Sequence, residues 1–107
     1  MSANDVRSYN IAVRLPKDFG SRQFKDIKQQ WDAEGQTALD FLPKLKHWLD
    51  TRGHLNAADS LYHVFSHYLV IECDAELSTY LKHSDLIQIS KVTEQPYRRQ
   101  NLYAVAG

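Results

Sequence analysis

The chain predicts an α+β domain, because its apolar pattern alternates between strand and helix periods along the sequence. The order of elements is strand, helix, an added helix, strand, strand, helix, strand. Two strand–helix–strand units of this kind form a four-stranded antiparallel sheet with helices on one face, the ferredoxin-like sandwich. The length of 107 residues suits one such domain. We therefore predict a single domain over residues 1–107, with flexible or extended termini at 1–8 and 95–107.

The first strand is predicted from the stretch "YNIAVRL", Tyr9 to Leu15, which alternates strictly. Its odd-numbered residues are the larger apolar ones and face one way, whereas Asn10, Ala12 and Arg14 face the other. Such alternation is typical of a half-buried strand. Pro16 ends it, because proline cannot donate a hydrogen bond to a neighbouring strand.

Two helical patterns follow. The first begins at Ser21, uses the apolar residues Phe24, Ile27 and Trp31 as its inward face, and ends at Gly35 as a left-handed cap. The second runs from Asp40 to Arg52, with its apolar stripe at Leu42, Leu45, Trp48 and Leu49. With Asp40 as its N-cap, Pro43 falls in the first turn, where no backbone donor is needed. This second helix either extends the first one with a kink or covers the sheet edge.

The middle of the chain predicts a hairpin. Residues from Leu61 to Phe65 and from Tyr68 to Cys73 are rich in β-branched and aromatic types, and Ser66-His67 would join the two strands. The join holds no glycine, asparagine or aspartate. Before the hairpin, "HLNAADS" is predicted as a connector with one helical turn started by Asn56. A longer helix from Asn56 that uses Leu61, Phe65 and Tyr68 is the competing interpretation of residues 56–66.

The last helix and strand are predicted from "DAELSTYLKHS" and "DLIQISKV". Asp74 is placed to cap the helix, and Leu77 and Leu81 share its inward face. In the strand, Ile87 and Ile89 are expected on one face and Val92 on the other.

Composition narrows the class of protein. Apolar residues make up 43% and charged residues 24%, and 13 basic residues balance 13 acidic ones. A net charge of zero argues against a broad surface for binding nucleic acid. Cys73 is the single cysteine, so no intrachain disulfide can form. The start is polar, and no apolar run approaches a membrane span, so we expect a cytoplasmic protein without a membrane partner.

Candidate reactive residues are concentrated around the hairpin. His63 and His67 are spaced i, i+4, which puts both on one side, and Cys73 becomes a third metal ligand only if the hairpin brings it near. The glutamate of the metalloprotease motif is missing from "HVFSH". A triad of Ser66, His67 and Asp74 lacks a nucleophile turn. Half-buried strand histidines and a buried cysteine are the simpler interpretation, so we predict no catalytic residue, no metal and no cofactor.

The segment after Pro96 is the part least easily explained by core packing. Its tyrosines and arginines are residue types enriched at binding hot spots. We predict that it contacts a partner through Tyr97, Arg98, Arg99, Asn101 and Tyr103. A terminal segment without a packing role, or an added edge strand, is the alternative.

The stretch "HVFSHYLVIECDAELSTYLKHSDLIQISKVTEQ" resembles the second half of subtilisin propeptides and the related stand-alone protease inhibitors. "HVFSH" is similar to their second strand, "AELSTYLKHSDLIQISKV" to their helix and last strand, and "YNIAVRL" to their first strand. Glu94 sits where the family often has an acidic residue. The resemblance implies a sheet that packs on a subtilase and an inhibitory segment from Tyr97 to Tyr103. The region from Gln36 to Ser60 is longer than in the family.

These observations lead to one functional hypothesis and two alternatives. The hypothesis is a small protein-binding module, inhibitor-like in its sharpest version, that contacts another protein through its sheet face and C-terminal segment. The first alternative is a small enzyme of the dimeric α+β barrel type, with a pocket lined by His63, His67 and Tyr68 of a homodimer. The second is a nucleic-acid-binding or regulatory protein that uses Arg98 and Arg99.

Overall fold

A computed structural model describes residues 5–96 of the chain. The described part holds four strands, three α-helices and a short 3₁₀ turn at Phe19–Ser21. Their bounds are β1 Arg7–Val13, α1 Ile27–Thr51, α2 Leu55–Ser60, β2 Tyr62–Phe65, β3 Tyr68–Cys73, α3 Ala75–Lys82 and β4 Ile89–Glu94.

The four strands form one sheet in the order β2-β3-β1-β4, and every neighbouring pair is antiparallel. The two outer strands are therefore β2 and β4, and each strand–helix–strand unit skips over one strand. This is the strand order of the ferredoxin-like sandwich, and it confirms the predicted fold class.

The core lies between the sheet and its helices. In β1, Tyr9, Ile11 and Val13 are buried and join the core, as their alternation predicts. From β3, Leu69 and Ile71 contribute to the same cluster. The other face of the sheet carries Asn10 and Ala12 of β1, with Tyr68, Val70 and Glu72 of β3 as their neighbours.

Helix α1 corrects the prediction of two separate helices. It begins after Asp26, whose side chain accepts a hydrogen bond from the Gln29 amide, and it continues without interruption to Thr51. Ser21 therefore caps no α-helix, and Gly35 and Asp40 lie inside α1 rather than at helix ends. Of the two interpretations of the second helical pattern, extension of the first helix is confirmed.

Packing explains why local end signals do not end this helix. The buried residues of α1 recur at spacings of three and four on both sides of Pro43: Ala38, Phe41, Leu45 and Leu49. One apolar face is therefore continuous past the proline, and it packs both halves of the helix on the sheet. The predicted inward face at Phe24, Ile27 and Trp31 is wrong: Phe24 precedes α1, whereas Ile27 and Trp31 are exposed. At its other end, the helix closes at Arg52 and Gly53 as predicted, with Gly53 at φ +83°.

Replacing Pro43 by alanine should stabilise the fold. Pro43 has no amide proton to donate to the carbonyl of Leu39, and both residues lie on the exposed face of α1. A proline inside a helix costs about 3 kcal/mol, part of which is offset by the stiffer unfolded chain. We expect Pro43→Ala to raise the free energy of unfolding by about 2 kcal/mol, measured by urea denaturation. No gain would mean that the helix is interrupted at Pro43.

The predicted hairpin is confirmed in its strands and its join. Helix α2 ends at Ser60, and β2 and β3 follow with Ser66 and His67 between them, so no helix runs through residues 56–66. Ser66 adopts φ +53°, which a two-residue hairpin connection demands and which is costly for a residue other than glycine, asparagine or aspartate.

Helix α3 and strand β4 agree with the prediction except on one strand face. The Asp74 side chain caps α3 by accepting a hydrogen bond from the Leu77 amide at 2.8 Å. In β4, Ile89 and Val92 are both buried, although alternation puts them on opposite faces. The register with β1 shifts between Ala12 and Val13, so one extra residue on β4 reverses the alternation. Ile87 precedes the strand and is exposed, contrary to the prediction.

No helix in residues 5–96 combines the length and the apolar character that a membrane crossing needs.

Candidate functional site

A polar cluster joins the hairpin turn to helix α1. The Ser66 hydroxyl donates a hydrogen bond of 2.5 Å to the Glu34 carboxylate, and Nδ1 of His67 lies 3.0 Å from the same hydroxyl oxygen. Because the single hydroxyl proton goes to Glu34, the His67 nitrogen acts as the donor in the second contact. The other Glu34 oxygen accepts from Gln30 at 3.2 Å.

His63 closes the turn from the strand side. Its Nε2 donates to the Ser66 carbonyl at 2.8 Å, and its ring lies against the backbone of Gly35 in α1. A Cβ atom built on Gly35 would come within 3.3 Å of the His63 ring and 3.7 Å of the Ser66 carbonyl oxygen. Helix and hairpin therefore approach as closely as they do because residue 35 has no side chain.

The candidate reactive residues of the sequence meet only in part. Ser66 and His67 are in contact, but their carboxylate is Glu34, while Asp74 caps α3 at the far end of β3. Cys73 ends the same strand, so roughly 17 Å separates it from the turn. Within residues 5–96, no group of three histidine, cysteine, aspartate or glutamate side chains could hold a metal ion.

The cluster stabilises the turn and is not arranged as a catalytic triad. Ser66 is buried, with 7% of its surface exposed, so a substrate carbonyl has little access to its hydroxyl. The carboxylate contacts the serine instead of orienting the histidine, which reverses the roles in a triad. His63 and Tyr68 also lie on different faces, since His63 contacts α1 whereas Tyr68 pairs with Ala12.

Cys73 is unsuited to nucleophilic chemistry at neutral pH. Burial, together with the negative charge of Asp74, raises the pKa of its thiol to about 12. The reactive form is the thiolate, which this environment disfavours. This agrees with the interpretation of Cys73 as a buried strand residue.

We expect Glu34 and Ser66 to be energetically coupled. Glu34→Ala removes the acceptor and Ser66→Ala removes the donor of the charge-assisted hydrogen bond, each at a cost of about 1–2 kcal/mol. The double variant should cost about 1 kcal/mol less than the sum of the two, as read by a double-mutant cycle in urea. Ser66→Gly should cost less than Ser66→Ala, because glycine relieves the positive φ. Additive losses would show that the contact does not hold the turn.

A second feature is an exposed aromatic surface at the edge of the sheet. The Trp31 and Phe65 rings meet edge-to-face, with centroids 5.4 Å apart. Ile27 lies one turn before Trp31 in α1, and Val64 precedes Phe65 in β2. We call these four residues, Ile27, Trp31, Val64 and Phe65, the edge patch. Each of them is 44 to 55% exposed.

Sequence reasoning missed the edge patch and Glu34 for different reasons. The helix period puts Trp31 in the core, because Trp31 lies seven residues before Ala38 and fourteen before Leu45 and so shares the phase of the buried stripe. No local pattern therefore shows that Trp31 is exposed. Ser66, the partner of Glu34, is 32 residues away in the chain, and no local pattern predicts their contact. The predicted contact residues Tyr97, Arg98, Arg99, Asn101 and Tyr103 lie outside the described residues.

The fold thus defines a class of protein, a ferredoxin-like α+β domain with an aromatic surface on its β2 edge. Comparisons with protein-family models, with curated proteins and with solved structures found no match for this chain.

Proposed function

We propose that this chain is a protein-binding module and that the edge patch is its contact surface. The occupant we propose is an extended, apolar segment of another protein that adds to the sheet alongside β2. The observation that carries this proposal is the exposure of Val64 and Phe65 on an outer strand, next to an equally exposed Trp31.

An outer strand presents backbone donors and acceptors that can pair with another chain. Natural proteins usually protect such edges with lysine, proline or a covering element, because an exposed apolar edge promotes aggregation. Here the outer strand is β2, and three of its four residues are exposed. Addition of a partner strand would use the backbone for affinity and the neighbouring side chains for specificity.

The side chains of the edge patch have the composition of a binding hot spot. Trp and Phe bury about 150–250 Å² each when covered, so the four half-exposed side chains offer on the order of several hundred Å² of apolar surface. Exposed apolar surface of that size on a monomer is typical of interaction sites, and here the Trp31 and Phe65 rings are in direct contact. The exposed ion pair between Lys28 and Asp32 flanks it, as expected for a polar rim.

An inhibitor-like version of the proposal adds the segment from Tyr97 to Tyr103. The resemblance to subtilisin propeptides supports it, since that family contacts its protease through the sheet and the following segment. In this version the partner is a protease, and the edge patch strengthens a contact that the segment makes in the protease cleft.

The test compares capture of a partner by two variants that each place one lysine at an exposed apolar position. Val64→Lys changes the edge patch, and Ile87→Lys changes an even more exposed residue elsewhere. We expect Val64→Lys to reduce affinity at least tenfold, because a partner would have to bury the charge, and Ile87→Lys to bind like the wild type. Affinity is measured by calorimetry with the captured protein.

Equal losses in the two variants, or none in Val64→Lys, would overturn the edge patch as the contact surface. Truncation after Glu94 then tests the inhibitor-like version separately. If the segment contributes, its removal weakens binding while the far-ultraviolet circular dichroism spectrum still shows the folded domain. A concentration-dependent mass in light scattering, without any partner, would identify a second copy as the occupant instead.

A further inference from the structure

A second surface feature lies at the other end of β3, away from the edge patch. It is a groove of about 890 Å³ between the end of the sheet and helices α2 and α3. Its walls include Val6, Leu55 and Tyr80, each about half exposed. Cys73 and Leu77 are almost fully buried beneath them. We call this feature the end groove.

The end groove is acidic, although the charges of the whole chain balance. Glu72, Asp74 and Glu76 line it, and no lysine or arginine is among the described residues that do so. Arg7 lies beside the groove and is ion-paired with Asp5 and Glu94. The charge of Asp74 adds to burial in raising the pKa of the Cys73 thiol, so the negative field reaches the floor of the groove. Apolar walls with three carboxylates suit a cationic group on an apolar stem, above all an arginine with aromatic neighbours.

The chain itself carries such groups directly after its described residues. Residues 97–107 include Arg98, Arg99 and two tyrosines and contain no acidic side chain. Near its end, the described part of the chain lies beside β1, because the Gln95 amide donates to the Ser8 carbonyl at 2.9 Å. Ser8 in turn pairs directly with Glu72 of β3.

The distances agree with this route. Gln95 and Glu72 are separated by two strand spacings, roughly 10 Å. Arg98 comes three residues after Gln95, and three extended residues span about 10 Å. The arginine side chain adds its own length to this span, so the guanidinium can reach Glu72, Asp74 or Glu76.

We propose that residues 97–107 dock in the end groove of their own chain, with Arg98 and Arg99 paired to its carboxylates. The segment would then cover the apolar walls formed by Val6, Leu55 and Tyr80. A partner that bound the segment would have to take it from the groove, which makes the groove a competitor for it. The inference does not depend on the edge patch, which lies near the hairpin turn.

The experiment uses the full chain and ¹⁵N-labelled protein. Arg98→Ala/Arg99→Ala should shift the amide signals of Leu55, Glu76 and Tyr80 away from their wild-type positions. In the conservative Arg98→Lys/Arg99→Lys variant, these signals should stay close to their wild-type positions. The matched control Lys17→Ala/Lys25→Ala removes the same charge from exposed positions away from the groove and should leave these signals unchanged. Shifts confined to residues adjoining the substitutions would overturn the proposal.

A double-mutant cycle supplies the second measurement. The arginine substitutions change the urea midpoint of the wild type. In the Glu72→Gln/Glu76→Gln background, the same substitutions should cause at most half of that change, because the charges that the arginines contact are gone. Unchanged, additive effects would overturn docking. Dilution distinguishes docking within one chain from docking between two copies. Amide signals that do not depend on protein concentration support docking within one chain. Signals that change on dilution would show docking between copies and would overturn the proposal.

Discussion

Leu45→Ala is expected to lower the free energy of unfolding by about 3 kcal/mol. Leu45 is completely buried in the middle of α1, in the cluster that joins this helix to β1 and β3. Alanine leaves a cavity that close-packed neighbours fill only in part. A domain of this size is stable by about 5–15 kcal/mol, so the loss should be obvious in urea denaturation with an unchanged slope.

Leu39→Ala is the matched control, because it makes the same chemical change on the same helix. Leu39 is 46% exposed, so its truncation removes little buried surface, and the result should lie within about 0.5 kcal/mol of the wild type. Comparable losses at the two positions would mean that α1 turns a different face to the sheet.

Gly35→Leu should also cost about 3 kcal/mol, for the opposite reason: the site has no room. The first added carbon would already lie 3.3 Å from the His63 ring, and that ring is held by its hydrogen bond to the Ser66 carbonyl. The remaining carbons would force the hairpin away from α1 and strain the contact between Glu34 and Ser66. The measurement is again the free energy of unfolding in urea.

Gly35→Ala separates crowding from helix propensity. Alanine favours the helix by about 1 kcal/mol over glycine, and its one carbon makes only the tight contact with His63, so the net change should stay within about 1 kcal/mol. Gln36→Leu places the larger side chain at the exposed neighbouring position and should be nearly neutral. Similar costs for Ala and Leu at residue 35 would indicate a helix end there, as the local sequence suggests.

The two halves of the chain differ in how well local patterns describe them. In the second half, Ser66-His67 lies between two β-rich runs and Asp74 precedes a short amphipathic pattern, so the hairpin and α3 were predictable from nearest neighbours alone. In the first half, Gly35 and Pro43 give local signals for a helix end and a helix start. Tertiary packing of the stripe from Ala38 to Leu49 overrides both signals, because burying that face against the sheet outweighs a glycine and a missing hydrogen bond.

The candidate site was less predictable than the fold. Alternation identifies which face of β1 is buried, but it cannot reveal that β4 carries an extra residue opposite Val13, which moves Val92 into the core. The contact between Glu34 and Ser66 joins residues far apart in sequence, and the same is true of the rings of Trp31 and Phe65. These long-range contacts depend on how α1 packs against the hairpin, and the residue types alone do not predict that packing.

By itself, the sequence determined the class of fold, the order of strands and helices along the chain, the hairpin and the cap of α3, because hydrophobic period and turn chemistry act over a few residues. Only the tertiary structure decided that α1 is one helix, that Gly35 is a point of close approach, and that Trp31 belongs to the surface. Each of these depends on the balance between a local preference of about 1–3 kcal/mol and the burial of a whole helix face. That balance is settled where the helix meets the sheet.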